Sequence, residues 1–174
     1  LIGINYSHSM TMATLKNYHD NCLMVRDFLQ EDLGFWEHHC YILMDDGIHE
    51  EPTKENIFAA MGVIKKECQT GDSVFFYFGG HGGTITGTNH GDQHDLTGHL
   101  IFPCDTDTAG IIKDGELYTY LVGDMKAGVK LTALMDCTYS GTLWNLPFQL
   151  NANDDEVKKY IPALILLISG RMNE

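Results

Sequence analysis

The chain of 174 residues is long enough for one domain to bury a continuous core without disulfide or metal staples. An apolar share of 44% and a charged share of 20% exclude a disordered, collagenous or disulfide-framework chain, so one folded domain over 1–174 is expected. The formal net charge of -13 repels polyanions, which argues against nucleic acid or an anionic membrane surface as the main partner and leaves a cationic ligand compatible.

The sequence opens on Leu1 inside an apolar run, which reads as a piece of a longer protein. No charged leader precedes that run, and the longest apolar stretch, Ala163 to Ile168, falls far short of the roughly 20 residues of a membrane span. Neither a span nor an export signal is expected. The five cysteines, Cys22, Cys40, Cys68, Cys104 and Cys137, are odd in number and scattered, without a C-x-x-C pair. They read as the reduced thiols of a cytoplasmic protein, the first four as packing residues.

Leu1 to Asn5 is a short apolar run that predicts a buried strand. From Leu15, the residues Leu15, Tyr18, Cys22, Val25 and Leu29 recur at steps of three and four, one stripe of a helix ending near Gly34. Cys40 to Leu43 predicts a second strand, stopped by the turn signal Asp45-Asp46-Gly47. Pro52-Thr53 opens a second helix with the core face Ile57, Met61, Ile64 and Cys68, and Thr53 is placed to cap its free amides. Ser73 to Phe78 has the apolar, aromatic character of a central strand covered on both faces, and Gly79-Gly80-His81-Gly82-Gly83 ends it.

The polar, glycine-rich stretch from Gly83 to Gly98 reads as a long surface loop. Leu100 to Phe102, Val129 to Met135 and Ala163 to Ile168 are further strand candidates, with a short helix near 116–122 between the first two. Strands alternating with helices predict an α/β domain with a mostly parallel central sheet and helices on both faces.

Ligands of open α/β sheets lie beyond the carboxyl ends of the strands. Two strands end in residues able to do chemistry. Phe78 is followed by Gly79-Gly80-His81-Gly82, where glycines permit a tight turn and leave the imidazole unobstructed. Met135 is followed by Asp136-Cys137-Thr138-Tyr139-Ser140-Gly141, a turn with a thiol and two small hydroxyls. An imidazole and a thiol at the ends of two central parallel strands suit a cysteine peptidase, with turn amides available to an oxyanion.

These segments resemble the metacaspases, relatives of the caspases. The resemblance runs through Leu1-Ile2-Gly3-Ile4-Asn5-Tyr6, Pro52-Thr53-Lys54-Glu55-Asn56-Ile57, Gly71-Asp72-Ser73-Val74-Phe75-Phe76, the histidine motif Gly80-His81-Gly82, and 129–136 with Ser140-Gly141-Thr142 and Leu146-Pro147-Phe148. The true-caspase signature Q-A-C-x-G is absent. The resemblance implies a caspase-like three-layer sandwich, calcium-assisted activation, and cleavage after arginine or lysine by a Cys-His dyad. It also implies that the family's C-terminal strands lie beyond the end of this sequence.

Against that pattern the place of the nucleophile is Thr138, with Cys137 one residue early. Side chains alternate along an extended segment, so a one-residue offset turns the sulfur to the other side. An interior threonine lacks the chain-terminal amine that activates threonine peptidases. The resemblance places the pocket for a basic substrate side chain at Asp136, Gly79 and Asn21, the last where an acid is expected and Asp20 lies nearly 100° around the helix. Its calcium places match Gly98, Asp114, Gly115 and Asn145, a single carboxylate where calcium wants several oxygens, so no cofactor is expected. Ile168-Ser169-Gly170, followed in the family by cysteine, is followed here by Arg171.

The expectation is therefore a metacaspase-like pseudoprotease with a regulatory or scaffolding role, binding a peptide, a protein or an active paralogue. The alternatives are a working endopeptidase using His81 with Cys137, and a plain α/β binding module. His90, His94, His99, Asp92 and Asp95 are read as a solvated loop rather than metal ligands.

Overall fold

The computed structural model describes residues 1–87 and 96–139. In chain order the elements are β1 (Ile2–Gly3), α1 (Tyr18–Glu31), a 3-10 turn (Glu37–His39), β2 (Leu43–Met44), α2 (Lys54–Glu67), β3 (Ser73–Gly79), β4 (Gly82–Gly87), β5 (Leu96–Ile101), α3 (Thr106–Ala109), β6 (Ile112–Lys113), α4 (Asp114–Leu117), a π-helical turn (Tyr118–Val122) and β7 (Lys130–Asp136). The central sheet has the order β2-β1-β3-β7 and every pair in it is parallel. A smaller antiparallel sheet has the order β4-β5-β6.

The two-residue period of the strands sorts side chains between two helical layers. Phe76 and Phe78 of β3 join Ile2, Ile4, Ala133 and Met135 in one cluster, together with Ile57 and Met61 of α2 and Leu117 and Leu121. Tyr77 faces the other way and packs with Cys22 of α1 and Met44, flanked by Phe75, Leu23, Val25 and Leu134. Helices therefore cover both faces of a parallel sheet, the expected α/β arrangement. Side chains such as Ile4, Phe78 and Ile57, fully withdrawn from water, each contribute about 2 kcal/mol.

Gly3 sets the closeness of α1. A Cβ there would lie 2.6 Å from the carbonyl oxygen of Tyr18 and 2.9 Å from Cys22 Cβ. The helix begins at Tyr18, three residues later than its apolar stripe predicts, because Asn17 adopts a left-handed φ of 71°. Its first amide is capped from outside the helix: Tyr18 N donates to Asn5 Oδ1 at 3.1 Å. At α2 the predicted cap is present, with Asn56 N donating to Thr53 Oγ1 at 3.1 Å.

Two expectations are corrected. The second strand is Leu43–Met44 rather than 40–43, since Cys40 closes the 3-10 turn by donating its amide to Glu37 O. The segment 83–98 is not a surface loop throughout: β4 and β5 pair antiparallel from Gly82↔Ile101 to Gly87↔Leu96. The β-branched run Thr84-Ile85-Thr86 favours extended backbone, and the glycine count concealed it. His99 consequently lies on a strand, whereas His90, Asp92, His94 and Asp95 lie outside the described residues, as does the strand expected at 163–168. Among the described residues no helix is long and apolar enough to cross a membrane.

Candidate active site

The β3–β7 register pairs Gly79 with Asp136, so the His81 turn and Cys137-Thr138 leave the sheet side by side at its carboxyl end. Glycines make this possible. A Cβ on Gly79 would lie 2.5 Å from the Tyr77 hydroxyl and 2.7 Å from the Tyr18 ring, and one on Gly82 would collide with the carbonyl oxygen of Thr138 and sit 3.1 Å from Cys137 Sγ.

His81 is held by Tyr6 and by the loop between β1 and α1. Its amide donates to the Tyr6 hydroxyl at 2.9 Å, and that hydroxyl donates to Phe102 O at 2.6 Å. Tyr6 is buried, and its ring lies 4.7 Å from the imidazole at a 45° tilt. His81 Nε2 is 2.7 Å from the carbonyl oxygen of Ala13. A carbonyl only accepts, so Nε2 carries the hydrogen and, in the neutral ring, Nδ1 keeps its lone pair.

The alternation of β7 continues past its end. Asp136 falls on the α1 side, where Oδ2 accepts from Asn21 Nδ2 at 3.3 Å and from the Tyr77 hydroxyl at 3.2 Å. Burial foremost, then this carboxylate, pushes the Tyr77 phenol well above its ordinary range. Tyr18 is raised likewise, by burial first and Asp136 second. Cys137 falls on the α2 side, packed against the cluster that holds Met135. Burial, with a smaller effect of Asp136, pushes its thiol up to about 12. Thr138 is exposed, and its hydroxyl donates to Gly82 O at 2.8 Å. Tyr139 follows in a left-handed conformation with φ 58°.

The structure thus brings Asn21, Gly79, Tyr77 and Asp136 together, and His81, Gly82, Cys137 and Thr138 at the adjoining strand ends. Asp20 is exposed, and the carboxylate partner of Asn21 is Asp136. Asp114 opens α4, with Oδ1 accepting from Gly115 N at 2.7 Å and Oδ2 from His99 N at 3.4 Å. Gly98 is a β5 residue without a side-chain oxygen, and Asn145 lies outside the described residues, as do Ser140 and Gly141. Sequence reasoning missed Tyr6, Ala13 and Tyr77. Tyr6 follows the first strand at the ligand-binding end of the sheet, a positional signal, whereas Ala13 contributes only a backbone carbonyl and leaves no trace in side-chain chemistry.

Residues 1–147 match the family described as metacaspase, peptidase C14 domain. The chain belongs to the metacaspases. It is 35% identical over 154 residues to Metacaspase III c of Phaeodactylum tricornutum, covering 88% of this chain and 45% of that protein. Identity to Metacaspase-1B of Aspergillus oryzae is 37% over 150 residues, covering 85% of this chain and 35% of the other. The metacaspase domain described here therefore spans less than half the length of these relatives. Protein GSU0716 of Geobacter sulfurreducens shares the fold, with a TM-score of 0.55 at 22% identity over 78% of this chain and 48% of that one.

Proposed function

We propose that this metacaspase domain is a pseudoprotease whose surviving cleft binds a peptide or protein, with basic residues preferred. The observation that carries the reading is the state of the two candidate nucleophiles. The Thr138 hydroxyl donates a hydrogen bond to Gly82 O, and the Cys137 thiol is packed into the apolar side of the sheet with its pKa raised. A hydroxyl committed to a carbonyl is not bonded to an activating base, and a thiol with a raised pKa is scarcely ionised at neutral pH, so neither is poised for acyl transfer.

Asp136 remains available to a cationic side chain, but its helix partner is the neutral amide of Asn21. A single negative charge lets the site hold a basic segment of a regulatory partner, such as an active paralogue in the cytoplasm. Calcium does not fit the residues at the family's places. Asp114 is the sole carboxylate there, and both its oxygens accept backbone amides, while Gly98 and Gly115 bring no side-chain oxygen. The function assigned here accordingly has no calcium step.

The rival reading, hydrolysis by His81 with Cys137, is favoured by one contact: Cys137 Sγ lies against Gly82, the neighbour of His81 in sequence. Hydrolysis of arginine- and lysine-terminated fluorogenic peptides by the complete native protein, with and without calcium, separates the two. A silent native protein beside a Thr138→Cys variant that cleaves supports the pseudoprotease. Native cleavage that Cys137→Ala abolishes overturns it.

A further inference from the structure

The loop between β1 and α1 reaches across the carboxyl end of the sheet and delivers the Ala13 carbonyl to His81 Nε2. Apolar packing anchors only its inner side, where Met12 and Leu15 touch the core, while Met10 is 94% exposed. The outer side is gathered by one carboxylate from another element. Asp107 of α3 accepts Met10 N at 3.0 Å and Ser9 Oγ at 3.3 Å on Oδ2, and the Thr11 hydroxyl on Oδ1. Ser9 Oγ passes the restraint along the loop by accepting Thr11 N at 3.3 Å and Met12 N at 3.0 Å, one residue short of Ala13.

We propose that Asp107 is a positioning residue for His81, clamping a strap over 9–13 whose Ala13 carbonyl decides which imidazole nitrogen carries the proton. Asp107 itself touches neither His81 nor the adjoining strand ends. Its effect runs through the strap: with the clamp closed, Nε2–H is committed to Ala13, and in the neutral ring Nδ1 keeps its lone pair as an acceptor. With the clamp open, the strap keeps its apolar anchors but loses the restraint that holds the carbonyl at hydrogen-bond distance. The two ring tautomers then compete, and the imidazole is free to turn. Charge assists the clamp, since a carboxylate accepting hydroxyl and amide donors makes stronger bonds than a neutral acceptor. The hydrogen bond from Thr11, above all, holds the Asp107 carboxyl below its ordinary pKa, so the clamp stays charged throughout the neutral range.

The inference does not depend on whether the native protein cleaves peptides, and its test reads His81 directly. Imidazole nitrogen shifts and the solvent exchange of the Nε2 proton are followed by NMR in the full protein, in Asp107→Ala, and in a Ser9→Ala/Thr11→Val double variant that removes both hydroxyl donors from the strap side and leaves Asp107 only the Met10 amide. Lys126→Ala serves as a control, since Lys126 bonds Gln69 in another part of the chain. The expected result is a single Nε2–H tautomer in the native protein and the control. Both clamp variants then show mixed tautomers and Nε2 proton exchange faster by about tenfold, the equivalent of one or two lost hydrogen bonds. If either folded clamp variant retains the native tautomer and exchange rate, Asp107 does not position His81. Should Asp107→Ala fail to fold, the double variant alone decides the question.

Discussion

The Thr138 hydroxyl is bonded to the Gly82 carbonyl at 2.8 Å, while the Thr138 carbonyl presses on the hydrogen face of the same glycine. The end of β7 and the start of β4 are thereby locked together through one residue on each side. A nucleophile leaves this hydroxyl free to meet a base, and here it serves as a tie.

The lock predicts an asymmetry between its two halves. Gly82→Ala puts a methyl into backbone, which has no flexible side-chain end to move aside, so a loss of about 1–3 kcal/mol is expected. Thr138→Ala removes only a solvent-accessible hydrogen bond and costs about 1 kcal/mol or less. Urea unfolding of both variants measures the difference. Equal midpoints for the two variants would show that the crossing at Gly82 is loose.

The Cys137 thiol makes a prediction about reactivity. With its pKa pushed up to about 12 by burial, its thiolate at pH 7.5 is scarcer than that of a free cysteine by about 10³. Alkylation by iodoacetamide, followed by peptide mass mapping of the native protein, should therefore leave Cys137 among the slowest sites. Its rate should climb with pH well beyond 9. A plateau near pH 7 would mean that the thiol is ionised by a partner such as His81 and would support the enzymatic reading.

Much of this arrangement was legible in the residues, for reasons that differ by element. The β3 run Ser73–Gly79 and the Thr53-capped helix α2 announced themselves because burial on two faces and the free amides of a helix start each demand particular side chains. Strand alternation also explains why Asp136 and Cys137 lie on opposite sides of the sheet, although from the residues it was drawn only between Cys137 and Thr138. The β4–β5 hairpin did not announce itself, because glycine-rich strands with polar faces carry little of the apolar alternation that marks a half-buried strand. Asn5 capping α1 and Ala13 orienting His81 are contacts between separate segments, made by a side-chain amide oxygen and a backbone carbonyl. No local pattern encodes either.

Tyr6 bridges two segments with one hydroxyl, accepting His81 N and donating to Phe102 O. Tyr6→Phe keeps the buried ring and deletes both bonds, leaving an amide and a carbonyl without that partner, at an expected cost of about 2–3 kcal/mol. The measurable signature is a lower melting temperature with near-native circular dichroism, together with broadened His81 resonances. An unchanged melting temperature would mean that water replaces the hydroxyl at no cost and that the contacts of His81 with Ala13 and Phe102 suffice to hold it.

Asn21→Asp restores an acid beside Asp136, and its consequences have a definite sign. The two side chains approach to 3.3 Å in the native protein, so the variant sets two carboxyls at a distance where both cannot readily ionise, and one of them is raised above its unfolded pKa. A raised carboxyl pKa favours the protonated folded state. Its stability contribution is present below the unfolded value near 4 and is lost as pH rises through the folded value. Relative to the native protein, the variant should be near parity at pH 4 and destabilised by about 1–2 kcal/mol at pH 8, read from paired denaturation curves. A cation relieves the repulsion, so an arginine-containing peptide should bind the variant more tightly than the native protein at pH 8, and the gain should shrink as the pH falls towards 4. If the variant instead loses stability equally at both pH values and gains nothing for arginine, Asn21 and Asp136 do not line a common pocket for a basic side chain.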